Sequence, residues 1–140
     1  MQFFRADTKE TSVAPAEHFS GTVRLARFSQ PGHPSKLSSA VVMFPAGARS
    51  AWHTHPMGQL LIVSDGTGLV QEWKQPAKRI SKGDVIWTPP GVKHWHGACA
   101  SSGMSHVTAV ESDNGKQVEW MEKVTDEEFK AANKAAGEKI

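Results

Sequence analysis

The chain has 140 residues, sixteen Lys and Arg against fourteen Asp and Glu for a net charge of +2, and one cysteine, Cys99. Its basic residues are scattered, so no block tracks a phosphate backbone and nucleic acid is not an expected partner. No apolar run approaches the ~18 residues of a membrane helix, and a lone cysteine excludes an internal disulfide. The N-terminal MQFFRADTKE lacks an apolar h-region and carries early acids, unlike a secretory signal. The expectation is one cytoplasmic domain over residues 1–140, with an arm over 1–18, a core over about 19–120 and a helix over about 125–137.

In chain order, residues 14–19 suit a helical turn or a docking arm, and His18 reads as a surface residue. Residues 22–28 alternate as a strand. Residues 30–34 form a loop, broken by Pro31, Gly32 and Pro34, with His33 in solvent. Strands are predicted at 38–44, 51–55 and 59–63. Ser64-Asp65-Gly66 reads as a hairpin turn, with a return strand at 69–73 and a polar loop at 74–79. A turn at Lys82-Gly83-Asp84, a strand at 85–88 and a bend at Pro89-Pro90-Gly91 follow. Strands at 93–97 and 104–110 precede a turn at Asp113-Asn114-Gly115. Short strands punctuated by Gly and Pro predict an all-β sandwich or barrel. Only the end reads as helix, with Thr125 as N-cap and Glu128 completing a capping box. Trp52 and Trp95 alternate out of phase with the histidines, so they belong to an outer face and a second layer or subunit contact. Trp73, Trp87 and Trp120 are core or interface candidates, none assigned to substrate. Cys99 reads as a small apolar residue.

Seven histidines are present, and five fall in the strands. His53 and His55 are two apart, so a strand points both the same way. Gln59 follows with a carboxamide oxygen. Imidazole nitrogens with an oxygen donor suit Zn, Cu, Fe, Ni or Mn. His94 and His96 share a face of a later strand. His106 shares its face with Thr108 and Val110, and facing inward it would hang beside the metal as a general base near neutral pH. His96 reads as either a positioning group or a structural one. Ala40 and Val42 would be small pocket walls, leaving room for a bulky substrate. Gln59 either ligates the metal or hydrogen-bonds a bound water.

The spacing carries a resemblance. Gly47 is followed by His53, His55, Gln59 and Gly66, and Gly83 by Pro89, Gly91 and His94. This resembles the two motifs of the cupin superfamily, G(X)5HXH(X)3,4E(X)6G and G(X)5PXG(X)2H(X)3N. Gln59 stands in the usual Glu position and Ala98 in the usual Asn position. The resemblance implies a small jelly-roll β-barrel with a short C-terminal helix, and a metal held by His53, His55, Gln59 and His94. The stretches AWHTHPMGQLLIV, GDVIWTPPGVKHWHGA, MSHVTAV and VEWMEKVTDEEF further resemble the bacterial cupin-type (R)-hydroxynitrile lyases. That resemblance implies Gln59 as a ligand, one divalent ion of manganese type with Fe, Zn, Ni or Co as other candidates, His106 as base with His96 near it, and a homo-oligomer, dimer or tetramer. The implied reaction is reversible cleavage of an aromatic cyanohydrin such as mandelonitrile to an aldehyde and HCN. Two other readings remain: a metal-dependent dioxygenase or other small-molecule cupin enzyme, and a non-catalytic module that binds a metal and a small molecule.

Overall fold

A computed structural model describes residues 1–5, 10–29 and 31–138; Gln30, in the predicted loop, and residues 6–9, in the predicted arm, lie outside them. Among the described residues twelve strands precede one helix: β1 (Ser12–Val13), β2 (Phe19–Ser20), β3 (Arg24–Ser29), β4 (Leu37–Phe44), β5 (Arg49–Ser50), β6 (His53–Thr54), β7 (Gln59–Glu72), β8 (Lys78–Ser81), β9 (Val85–Thr88), β10 (His94–Ala98), β11 (Met104–Glu111), β12 (Glu119–Trp120) and α1 (Asp126–Ala135). All pairings are antiparallel. One sheet runs β1-β3-β4-β11-β7-β9, and the other joins β2, β5, β10, β7 and β8, with β6 beside β10 and β12 beside β6. The all-β barrel with a short C-terminal helix is therefore as the sequence implied.

The strand β7 overturns a local expectation. The predicted hairpin at Ser64-Asp65-Gly66 is absent, and the predicted return strand is the second half of one 14-residue strand. Its first half pairs with β11 and β9, its second half with β10 and β8, so β7 belongs to both sheets. The positive φ of Gly66 (71°) is used for a bulge, not a reversal. Register with β11 slips there, from His106 opposite Val63 to Ser105 opposite Asp65. A Cβ on Gly66 would lie 2.0 Å from the Gly103 carbonyl oxygen, so the crossing requires glycine.

Three smaller corrections follow from backbone bonding. The predicted strand at 51–55 is interrupted because the Trp52 peptide bonds elsewhere, to Glu122 O and from Met121 N. The polar loop at 74–79 is shortened by β8, whose residues pair with 67–70 of β7. The arm at 14–19 is a turn between β1 and β2, closed by His18 N donating to Pro15 O at 3.0 Å.

Two cores result. Between the sheets pack Val23, Val42, Phe44, Val63, Ile80 and Met104. Behind β10 lies the second layer that the alternation predicted: Trp52, Trp95, Leu69, Cys99, Val124, Phe129 and Ala132, closed over by α1. The helix starts where the capping box said it would. Glu128 N donates to Thr125 Oγ1, and Thr125 N to Glu128 Oε1, both at 3.0 Å. Arg49 fastens it, donating to Val124 O at 2.9 Å and Asp126 Oδ1 at 2.7 Å while lying over the Phe129 ring. Trp73 and Trp87 are exposed, contrary to a core assignment, at 41% and 56% of their surface. Among the described residues no helix is long and apolar enough to cross a membrane.

Candidate metal centre

The inner face of the first sheet is ordered in rows by strand register. Leu25, Val42, His106 and Val63 lie opposite one another across β3, β4, β11 and β7. The next row is Arg27, Ala40, Thr108 and Leu61; the next, Ser38, Val110 and Gln59. Across the cavity, His94 of β10 is opposite His53 of β6, and His53 opposite Trp120 of β12. Distant segments therefore bring five histidine rings together. His53 lies 5.0 Å from His55, 4.3 Å from His94 and 5.1 Å from His96, centroid to centroid, and His96 lies 4.7 Å from His106.

Burial holds all five imidazoles below their ordinary value of 6.5, His94 and His106 to about 4. Each is thus neutral near pH 7 and carries one ring proton. In three of them a backbone carbonyl fixes where that proton sits. Nδ1 donates to Ala51 O in His53 (2.8 Å), to Gln117 O in His55 (2.7 Å) and to Val92 O in His94 (2.9 Å). A carbonyl only accepts, so each Nε2 is left with a lone pair. Such an outer hydrogen bond fixes tautomer and ring orientation in a metal-binding histidine.

The donor atoms of His53, His94 and His96 lie within 4.8 Å of one another, and these three buried histidines could hold a metal ion. Hydrogen bonding separates the set differently from distance. His96 turns Nδ1 to His106 Nε2, 3.0 Å away, whereas His55 shares the carbonyl lock of His53 and His94. His55 Nε2 is buried without a partner. Gln59 Nε2 donates to Thr108 Oγ1 at 2.8 Å, which turns Oε1 to within 3.0 Å of His94 Nε2. Two acceptors face each other there, an arrangement that a cation resolves. The residues present therefore fit a divalent ion with nitrogen and oxygen donors.

Beside this cluster is a cavity of about 190 Å³. Ala40, Val42, Thr108 and Val110 all line it, as do His53, His55, Gln59, His96 and His106; His94 does not, and lies behind Gln59. Sequence reasoning missed several walls: Phe19, Leu25, Arg27, Ser38, Gln117 and Trp120. Trp120 faces His53 with 4.8 Å between rings, so its exclusion from the pocket is corrected. Its other face stacks on His18 at 4.5 Å and 7°, and His18 is half-buried, not a free surface residue. Leu25 and Arg27 carried a signal, being two apart on a predicted strand. Trp120 carried none, because its position follows from pairing with His53, 67 positions earlier in the chain.

The Cupin domain family profile matches residues 40–111, just over half of the chain. The chain is 44% identical over 130 residues to an (R)-mandelonitrile lyase of Granulicella tundricola, covering 93% of this chain and 99% of that one. Among solved structures, it matches a cupin-like protein of Thermotoga maritima with a TM-score of 0.83 and 36% identity, over 91% of this chain and 95% of that one. The polyketide cyclase RemF of Streptomyces resistomycificus shares the fold at a TM-score of 0.74 and 9% identity, over 93% and 91% of the two chains. Sequence profile, relatives and barrel agree, and the chain belongs to the cupin family.

Proposed function

We propose that the chain is a metal-dependent hydroxynitrile lyase that reversibly cleaves an aromatic cyanohydrin such as mandelonitrile to aldehyde and HCN. The observation that carries this reading is the carbonyl lock on three buried histidines, which leaves an Nε2 lone pair on His53 and His55 at the cavity and on His94 against Gln59 Oε1, beside a second, independent histidine pair. The 44% identity to an (R)-mandelonitrile lyase supports the same activity. His53, His55, Gln59 and His94 are the proposed ligands of one divalent ion, Mn(II) in first place, with Fe, Zn, Ni or Co also suited to these donors. When bound, the ion supplies a positive field for the negative charge that develops on oxygen or cyanide. Gln59, an amide, adds no charge of its own and leaves that field uncompensated.

The rest of the work falls to side chains. His106 Nε2 donates to His96 Nδ1 in the tautomer that serves the reaction. This leaves His106 Nδ1, buried and without a partner, as the acceptor of the substrate hydroxyl proton. As that O–H bond breaks, the carbonyl forms, the C–CN bond breaks and its electron pair leaves with cyanide, which recovers the proton as HCN. His96 holds His106 and presents its own partnerless Nε2 to the substrate. Ala40, Val42, Thr108 and Val110 bound the space for the aryl group, and Trp120 closes its side.

Metal analysis of the purified protein with a mandelonitrile assay tests the proposal. His106→Ala should keep its metal and lose about 10²- to 10⁴-fold in turnover, the usual worth of a general base. Unchanged cleavage in that variant rejects His106. Oxygen uptake with an enol or catechol-like substrate would point to a dioxygenase instead. A pure binding module has no use for the His96–His106 pair beside its ligand site.

We further propose one domain over residues 1–140, a cytoplasmic location consistent with the buried free Cys99, and a homo-oligomer. Val85 and Trp87 of β9, opposite Ile62 and Leu60 of β7, present an exposed apolar strip for subunit contact. Light scattering should give a dimer or tetramer, and Trp87→Lys should shift it toward monomer.

A further inference from the structure

Among the described residues, Arg27 is the one Arg, Lys, Asp or Glu side chain in the cavity lining. Arg27 lies opposite Ala40, and Ala40 opposite Thr108, so the three share one inward row. Thr108 in turn holds Gln59. Strands lie about 4.7–4.9 Å apart, so the row carries from Thr108 to Arg27 in two steps of about 10 Å in all. The residue between them is Ala40, whose small side chain leaves the way open. β1 pairs with β3 only at Leu25 and Arg24, so among the described residues Arg27 stands at an open edge, the cavity's mouth. Among the described residues its guanidinium has no ion-pair or side-chain hydrogen-bond partner. Ser38, 4% exposed, lines the same cavity, and no carboxylate does.

We propose that Arg27 is a specificity-determining residue that binds an anionic group, and that the preferred substrates are small aryl compounds bearing a carboxylate at the end remote from the reacting carbon. The guanidinium fork matches a carboxylate in two parallel hydrogen bonds. The reacting end then lies against Gln59 and His106, the ring over Ala40 and Val42, and the carboxylate at the mouth. The inference rests on the hydroxynitrile lyase reading for its choice of reacting group, but not for the anion site itself. The competing account is that an inward charge merely blunts an edge strand against pairing.

The test uses the metal-loaded full chain. Mandelonitrile and 4-carboxymandelonitrile are compared as substrates, and benzaldehyde and 4-formylbenzoate as ligands by calorimetry. The carboxylated substrate should have a KM about tenfold lower or more, the usual worth of a hydrogen bond to a charged group, with kcat little different. That preference should weaken with salt, be abolished in Arg27→Met, reverse in Arg27→Glu and return in part in Arg27→Lys. Equal handling of the two substrates, or a preference that Arg27→Glu leaves in place, overturns the proposal. Selective binding of 4-formylbenzoate without cleavage of either cyanohydrin would retain the anion site and reject the lyase. Cleavage of both without preference would do the reverse.

Discussion

The strand β10 divides two regions that share a backbone and differ in nearly everything else. On one side His94 and His96 join His53, His55 and His106 in a cluster of rings beside a cavity. On the other, Trp95 packs with Trp52, Leu69 and Phe129 beneath α1. Both regions are buried. The inner one keeps polar groups whose partners are carbonyls and one another, and it leaves three ring nitrogens with none: His55 Nε2, His96 Nε2 and His106 Nδ1. The outer one is mostly apolar, although Trp52 Nε1 is buried there without a partner and Asn133 is fully buried. A buried polar atom without a partner ordinarily costs about 1–3 kcal/mol, so the inner region is tolerated because the outer one supplies stability. The comparison teaches that one strand can serve both purposes because its side chains alternate.

The contrast can be broken from either side. His94→Ala should do most to the inner region: metal content falls to background while the outer core stays intact, as metal analysis and tryptophan fluorescence together would show. Trp95→Ala should do the opposite, losing about 3–5 kcal/mol of stability in denaturant titration while the folded fraction still takes up metal. Acid gives a graded test. All five clustered histidines have folded pKa values below the unfolded value, so between pH 6.5 and about 4 the unfolded chain binds more protons. Metal-free protein should therefore be fully stable above pH 6.5 and lose stability as the pH falls through that window, seen as a falling Tm. Metal-loaded protein should resist until its ligands protonate. Smallest of all, Thr125→Ala should cost about 1 kcal/mol by removing the N-cap, with no change in metal content or mandelonitrile cleavage.

Much of this division was legible in advance. Alternation placed His94 and His96 on one face and Trp95 on the other, and the glycine spacing set His53 and His94 in matching motifs. The capping box located α1 through Thr125 and Glu128. What escaped was whatever depends on the backbone of another segment. The carbonyls of Ala51, Val92 and Gln117 that orient the three rings belong to residue types with no metal chemistry, so nothing in their identity marks them. Asp65-Gly66 has the composition of a tight turn, and only the close approach of Gly103 shows that it is a bulge. Trp120 and His18 meet because β2 and β12 approach the cavity from opposite ends of the sequence.

The continuity of β7 has one more consequence. Gln59 stands at its start, and its far end runs beside His94. Any tilt of one sheet against the other must bend that single strand, so the two groups of donors cannot drift apart independently. On the proposed function, selection among ions and substrates would fall to the size of a fixed hollow rather than to closure around the guest. Loosening the corner at Gly66 should blur that selection before it unfolds the chain.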